Sequence, residues 1–288
     1  MTVTEADQPN RREAAPSDSS LFADALCAID GTPESLAAAE EAAILTGTSG
    51  HLTLLAVTSF RSEGAYRSPA IGPGRAKGIL DRAVQVAHEA RVPYAVEVDP
   101  AGPPSQVILD WASERDLLAM GAPAISWLGA MFTAGVADTA LGSFTTPLLI
   151  GRSISRELHV PRRVMVASDG LAGSDELVEL AGRLARTQGA EAILLHVLGS
   201  ESSSHPHRIQ EQARRLHLAV DGASEVRLQP GHARGVIVET AAAVGASLLV
   251  MGSRRLEGLR TIGSVSRRVV HQVDCPVLLV PPERLLQA

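Results

Sequence analysis

A glycine-dotted segment near the C-terminus is the stretch of the chain best suited to hold a ligand. It leaves a predicted strand at Gly252, runs through GSRRLEGLRTIGSVSRRVV (252–270), and enters a predicted helix near Gly263–Ser264. Glycines allow positive φ and close approach of the backbone, and free N–H groups at a helix N-terminus suit a phosphate. Hydroxyl donors and positive charge could come from Ser264, Ser266, Arg254, Arg255 and Arg260. One alternative stays open, in which Ser264 only caps the helix and the arginines are solvated.

Two Asp-Gly pairs end predicted strands at the position where open parallel sheets bind ligands. Asp30 ends LCAIDG (26–31), and Asp169 with Gly170 ends VMVASDG (164–170). In open α/β sheets, ligands bind outside the carboxyl ends of the strands. Because Val197 and Gly252 end two further strands of the second half, three strand ends converge there. The alternative is that Asp-Gly only forms a tight turn.

The elements that position these residues occur twice, because the chain can be laid over itself. Five pairs of segments correspond in the same order: LCAIDG (26–31) with VMVASDG (164–170), HLTLLAV (51–57) with EAILLHV (191–197), the segment from Ala101 with that from Pro230, DLLAMG (116–121) with SLLVMG (247–252), and TPLLI (146–150) with CPVLLV (275–280). Five ordered matches indicate a tandem duplication.

Each half is predicted to alternate strand and helix. The strands are continuous apolar runs, which is typical of a parallel sheet covered by helices on both faces. We therefore predict an α/β fold of two tandem, doubly wound parallel sheets. Thr32 is predicted to cap the first helix, with Pro33 in its first turn. Residues 1–20 are predicted to be a disordered tail, 21–152 the first domain and 160–284 the second, with the seam near 151–161.

Composition excludes several classes of function. The 288 residues suffice for about two domains. A net charge of -6 and 3% aromatic residues argue against nucleic acid and anionic membranes as partners. Two cysteines in apolar runs and the absence of any apolar run near 18 residues predict a cytoplasmic protein. The preference for arginine over lysine indicates a GC-rich bacterial genome.

Together, the strand-ending Asp-Gly, the segment VMGSRRLEGLRTIGSVSRRVV and the closing CPVLLVP resemble the universal stress protein family in its tandem two-domain form. The resemblance covers nearly the whole chain after residue 20 and is closer in the second half. It implies an adenine-nucleotide α-hydrolase-like fold with five strands per domain in the order 3-2-1-4-5, and pairing through the last strands. Some members of the family bind ATP through G-x2-G-x9-G-[ST], and others lack this motif.

Carried over to the second half, the resemblance implies that Asp169 faces the adenine and that Val197 contacts it through its backbone. Gly252 corresponds to the first glycine of the motif. The implied nucleotide-binding residues are Asp169, Gly170, Val197, Gly252, Ser253, Arg254, Gly263, Ser264, Val265 and Ser266. Arg255 stands where the second glycine is expected, and seven residues instead of nine separate it from Gly263.

The first half departs further from the motif. Asp30, Val57, Gly121 and Gly135 align with it, but Ala124 replaces the second glycine and Val136 replaces the serine. The segment 124–136 is also strongly apolar for a phosphate loop. We therefore expect the second half to be the better ligand site.

The resemblance predicts a stress-response module that binds ATP or another adenine nucleotide, with or without magnesium, and acts through dimerisation or an unknown protein partner. The alternative is a dimeric scaffold in which both sites are degenerate. The two halves are expected to form an internal pseudo-dimer through TPLLI and CPVLLV, and a further homodimer is plausible. An enzyme is not expected, because no Walker lysine pattern, general base or acidic metal cluster is recognisable. Within the second half, His196 is interpreted as a satisfied core histidine.

Overall fold

The computed structural model describes residues 21–58, 71, 73–100, 102–122, 144–152, 162–198, 206–220, 222–253 and 264–281. The predicted tail (1–20) and the predicted site residues Gly135, Arg254 and Gly263 lie outside the described residues. The same holds for Ala124, Val136 and Arg255.

The first half contains five strands and three described helices: β1 (Asp24–Ala28), α1 (Pro33–Thr46), β2 (His51–Val57), α2 (Pro73–Glu89), β3 (Tyr94–Asp99), α3 (Pro104–Ala112), β4 (Leu117–Gly121) and β5 (Leu148–Gly151). The helix predicted between β4 and β5 falls on residues 123–143, outside the described residues. As predicted, Thr32 is the N-cap of α1: its hydroxyl accepts from the backbone N–H of Ser35 at 3.2 Å, and Pro33 follows it.

The second half repeats this order in full: β6 (Arg163–Ser168), a short 3-10 helix (Ala172–Ser174), α4 (Asp175–Thr187), β7 (Glu191–Leu198), α5 (Pro206–Val220), β8 (Ser224–Pro230), α6 (Ala233–Val244), β9 (Leu248–Gly252), α7 (Ser264–Gln272) and β10 (Val277–Val280). Among the described helices of both halves, none is long and apolar enough to cross a membrane.

All ten strands form one continuous sheet in the order β3-β2-β1-β4-β5-β10-β9-β6-β7-β8. Within each half the strands are parallel and follow the predicted order 3-2-1-4-5, so the predicted α/β fold is confirmed. The halves meet where β5 pairs antiparallel with β10, with Ile150 opposite Val277 and Leu148 opposite Leu279. The two predicted sheets are thus one sheet with two equivalent carboxyl edges.

Helices cover both faces of the sheet, as the continuous apolar strands require. The core on one face lies under α1, α2, α4 and α5. The core on the other face lies under α3, α6 and α7. Helix α1 supplies mostly alanines, which let it approach the sheet closely: a Cβ on Gly151 would lie 2.5 Å from the Cβ of Ala38.

Two arginines in the connection between the halves bind groups of both. The Arg152 guanidinium is buried and donates to the carbonyls of Ala122 in the first half and of Val270 and Val273 near the end of α7. Burial, the largest cause, lowers the pKa of Arg152 to about 10, which leaves it charged at neutral pH. Arg162 donates to both carboxylate oxygens of Glu41, a fully buried residue on α1, at 2.7 and 2.8 Å.

Candidate functional site

The described part of the candidate site lies at the carboxyl edge of three neighbouring parallel strands, β7, β6 and β9. Asp169 is exposed immediately after β6, whereas Val197 near the end of β7 and Gly252 at the end of β9 are partly exposed. The strand register brings these ends together, because Ser168 pairs with His196 and Ala167 pairs with Met251. The structure therefore gathers the predicted residues of three different strands at one edge.

The turn after β6 holds Asp169 through its own carboxylate. Asp169 Oδ1 accepts from the backbone N–H of Leu171 at 2.8 Å and from the hydroxyl of Ser174 at 2.9 Å. Gly170 follows with a φ of 74°, in the left-handed region that favours glycine. The Asp-Gly pair therefore does form a tight turn, as the alternative interpretation expected, and the same turn leaves Asp169 exposed at the edge.

A buried polar network lies beneath this turn, and the sequence analysis missed it. The Ser168 hydroxyl accepts from the backbone N–H of Gly170 at 3.0 Å and donates to the side-chain oxygen of Gln212 at 2.6 Å. The Gln212 amide nitrogen donates to the Leu171 carbonyl and to Asp175 Oδ1 at 3.0 and 2.8 Å. Ser168, Asp175 and Gln212 are all buried. The first half has apolar residues at the corresponding positions, Ile29, Leu36 and Ile79. The exchange is therefore visible in the sequence only when the two halves are aligned position by position.

His196 packs directly beneath Gly170. It is 2% exposed, and a Cβ on Gly170 would lie 2.9 Å from its Cε1. Its Nδ1 lies 3.1 Å from the Ser168 carbonyl, which can only accept, so Nδ1 carries the proton. Nε2 is buried and has no hydrogen-bond partner among the described residues. The predicted core position is confirmed, but the prediction that this histidine is satisfied is wrong for one of its two nitrogens.

Two serines of the predicted phosphate segment, Ser253 and Ser266, are hydrogen-bonded within the protein. Ser266, on α7, donates its hydroxyl to the Gly252 carbonyl at 3.0 Å. Ser253 is buried and pairs with the carbonyl of Val280 through its backbone N–H at 3.0 Å. The suggested role of Ser266 as a hydroxyl donor to phosphate therefore needs correction: it fixes α7 against the end of β9. Ser264 begins α7, as expected, and Val265 beside it is exposed.

The carboxyl ends of the corresponding strands in the first half are packed more tightly. Val57 is 7% exposed, and a Cβ on Gly121 would lie 2.2 Å from the backbone nitrogen of Ser35 in α1. Among the described residues, a Cβ on Gly252, the counterpart of Gly121, would meet the Leu177 side chain alone, at an ordinary 3.7 Å. Gly121 is thus required by the packing of α1, whereas the described residues place no backbone against Gly252.

The two halves pack differently at these glycines because the helix after each Asp-Gly turn starts at a different point. In the first half, α1 begins at Pro33, three residues after Asp30. In the second half, the 3-10 helix delays α4 until Asp175, six residues after Asp169. Asp30 is held locally: its Oδ1 accepts from the N–H and the hydroxyl of Thr32 at 2.9 and 2.6 Å. Both aspartates are therefore fixed, but only the second is followed by a delayed helix.

The described residues contain no group of three or more histidine, cysteine or acidic side chains placed to hold a metal ion. Cys27 and Cys275 are both buried free thiols, as expected. Burial raises the pKa of the Cys275 thiol to about 12 and also raises that of Cys27, so both are neutral near pH 7.

Comparison with known proteins gives a family match in both halves. The model of the universal stress protein family matches residues 22–152 and 161–281. A universal stress protein of Bacillus subtilis strain 168, YxiE, is 28% identical over 144 residues, which are 41% of this chain and 97% of that protein.

Two solved structures align with both halves at once. The first is a universal stress protein from Archaeoglobus fulgidus DSM 4304, with a TM-score of 0.73 and 22% identity, covering 90% of this chain and 96% of that chain. The second, from Pseudomonas aeruginosa UCBPP-PA14 and assigned to the same family, has a TM-score of 0.68 and 17% identity, covering 94% of this chain and 97% of that chain. At these identities the likeness supports the two-half fold.

Proposed function

We propose that this chain, which belongs to the universal stress protein family, binds an adenine nucleotide at the carboxyl edge of its second half. We further propose that it acts in the cytoplasm as a stress-response module, through dimerisation or a protein partner. We propose ATP, with or without magnesium, because family members that carry the complete motif bind it. The first half is proposed to have lost this capacity.

The observation that carries the proposal is the difference in steric access between the two edges. A backbone glycine without a packing partner leaves room for close approach of a ligand. Among the described residues, a Cβ on Gly252 meets one side-chain carbon, of Leu177, at 3.7 Å, whereas Gly121 lies against the backbone of α1. Val197 and Ala167 at the second edge are partly exposed, and their counterparts Val57 and Ala28 are buried.

The described residues suggest how such a ligand would be held. Asp169 is exposed with its carboxylate fixed on the turn, in a position to accept a hydrogen bond from an adenine amine. Val197, at the neighbouring strand end, is partly exposed, and we propose that its backbone contacts the adenine. Helix α7 begins at Ser264 with its N-terminus following the glycine-dotted segment, and unpaired N–H groups there suit a phosphate.

We propose binding without catalysis. The carboxylates beneath the described edge are engaged: Asp175 is hydrogen-bonded to Gln212 and paired with Arg208 at 2.8 Å. The Asp169 carboxylate holds its own turn. Both carboxylates are committed to structural hydrogen bonds, which argues against either acting as a general base. At most, slow incidental hydrolysis of ATP is expected.

The test is calorimetric titration of ATP with magnesium into protein stripped of co-purified nucleotide. We expect one site per chain and about a tenfold or greater loss of affinity in Asp169→Ala, because a charged hydrogen-bond acceptor is removed. The matched control is Asp30→Ala, which removes the same group from the first half and should leave affinity unchanged. No heat from the wild-type chain, with no nucleotide released on denaturation, would reject the proposal.

A second candidate function, a dimeric scaffold, is favoured by the two edge strands of the sheet. Val96 and Val98 on β3 are 42% and 47% exposed, and Val226 and Leu228 on β8 are 41% and 51% exposed. An exposed apolar sheet edge is a common site of association. Arg255, where the motif has glycine, also favours this candidate. Light scattering of the purified chain distinguishes a dimer from a monomer at each concentration.

A further inference from the structure

We infer that Gln212, on α5, is the positioning residue of the second-half site, holding the Asp169 turn in place without touching the ligand. The inference rests on the proposed function for its consequence in binding. The structural part of the inference is that one buried amide fixes the geometry of the turn, and it depends only on the described hydrogen bonds.

The side-chain oxygen of Gln212 and both of its amide hydrogens are engaged in hydrogen bonds around this turn. The side chain is 1% exposed. Its oxygen accepts from the Ser168 hydroxyl at 2.6 Å, and its two amide hydrogens go to the Leu171 carbonyl at 3.0 Å and to Asp175 Oδ1 at 2.8 Å. A buried amide with both donors and its acceptor engaged has one favourable orientation, since any rotation leaves polar groups unpaired.

These bonds bracket the site residue. Ser168 directly precedes Asp169, and Leu171 follows two residues after it, so one side chain holds both ends of the Asp169–Gly170 turn. The Ser168 hydroxyl also accepts from the Gly170 N–H at 3.0 Å. The turn is thereby tied to α5, an element 44 residues away in the chain.

The outer end of the network reaches the surface. Asp175, which accepts from Gln212 through one carboxylate oxygen, accepts from Arg208 through the other at 2.8 Å. The Arg208 side chain is 40% exposed, whereas that of Asp175 is 10% exposed. The charge of Asp175 is therefore compensated from the solvent side, which keeps its inner oxygen available to orient Gln212.

The first half shows what the same backbone does without this network. Ile79 occupies the position of Gln212, each being the seventh residue of a helix that begins with proline. A Cβ on Gly31 would lie 2.8 Å from the Ile79 side chain, so hydrocarbon fills the space under that turn. Dispersion contacts exclude water but do not fix orientation as hydrogen bonds do. The polar replacement occurs in the half that keeps the more open edge.

The test compares Gln212→Met, similar in size but without the amide, with the matched control Ile79→Met in the first half. Each variant is titrated with ATP and with AMP, and backbone amide exchange is followed in the absence of nucleotide. We expect Gln212→Met to weaken ATP and AMP by the same factor, about tenfold, because the turn faces the adenosine part that both share. Exchange at the Gly170 and Leu171 amides should accelerate, and Ile79→Met should change neither property.

Arg208→Ala, at the half-exposed end of the network, is the second variant should Gln212→Met fail to fold. Arg208→Ala should weaken nucleotide binding and accelerate exchange at Gly170 and Leu171, each by less than Gln212→Met. Wild-type affinity together with unchanged exchange at Gly170 and Leu171 would overturn the inference. If the wild-type chain binds no nucleotide, the proposed function fails, and the exchange rates alone decide whether Gln212 holds the turn.

Discussion

The two halves of the chain share one strand order but differ in how the helix after the first strand meets the edge of the sheet. In the first half, α1 starts early and packs its backbone against Gly121. In the second half, a 3-10 helix delays α4, and among the described residues a Cβ on Gly252 would meet only the Leu177 side chain, at 3.7 Å. Because α1 starts three residues earlier after its Asp-Gly turn than α4 does, its backbone reaches the end of β4 in the first half. The comparison shows that the start of one helix changes how closely its backbone packs against the strand ends in two copies of one fold.

The halves also differ in what supports the Asp-Gly turn. Apolar side chains, Ile29, Leu36 and Ile79, lie at the positions where the second half has Ser168, Asp175 and Gln212. A buried polar network costs desolvation unless every member is paired, so its retention in one copy suggests that precise geometry is needed there. In the other copy, hydrocarbon fills the corresponding positions.

The largest effect is expected from Gly121→Ala, which adds one methyl group and is compared with the same change at the corresponding Gly252. In Gly121→Ala the new Cβ would lie 2.2 Å from Ser35 N and 2.4 Å from Glu34 C, both backbone atoms that cannot move aside without shifting α1. We expect a loss of about 3 kcal/mol in the free energy of unfolding, measured by denaturant titration.

Gly252→Ala is the matched variant, and it should change the free energy of unfolding by less than about 1 kcal/mol. It should nevertheless weaken nucleotide binding, because the methyl group occupies the space proposed for the ligand. Equal destabilisation by the two substitutions would contradict the difference in packing between the edges.

A smaller effect is expected at Arg152, which has no counterpart in the second half because Pro281 stands at the corresponding position after β10. Arg152→Met removes the donors to the carbonyls of Ala122, Val270 and Val273. We expect a loss of about 2 kcal/mol, since buried carbonyls are left without partners. Thermal unfolding in a calorimeter measures it. Unchanged stability would mean that the Arg152 hydrogen bonds add nothing to the β5–β10 pairing and the Arg162–Glu41 pair.

Much of this architecture could be predicted from the repeat. Five matching segments predicted the duplicated alternation of strand and helix, and the family resemblance implied the strand order. The Asp-Gly turns and Gly252 fall at the predicted ends of the strands. The sequence did not reveal the delayed start of α4, because GSDELVEL and PESLAAAE are both good beginnings of a helix. Nor did it reveal Gln212, whose partners lie 44 and 37 residues away and belong to residue types common on surfaces. Position-by-position alignment of the halves would have exposed the apolar-to-polar exchange.

The smallest effect concerns the two buried thiols, one in each half, and it appears only at alkaline pH. Burial raises the pKa of Cys275 to about 12, above the value of about 8.5 for a free thiol. Between these values the unfolded chain has released the proton and the folded chain retains it, so stability falls as pH rises. The full contribution is present below pH 8.5, and the loss approaches about 1.4 kcal/mol per pH unit for each thiol.

Cys27→Ala and Cys275→Ala should each reduce this slope, as measured by denaturant titration between pH 8 and 10. Burial is the largest cause of both raised pKa values, so both thiols stay protonated in the folded chain across this range. The two variants should therefore remove similar slopes. A slope left unchanged by either substitution would show that the thiol concerned is open to solvent in the folded chain.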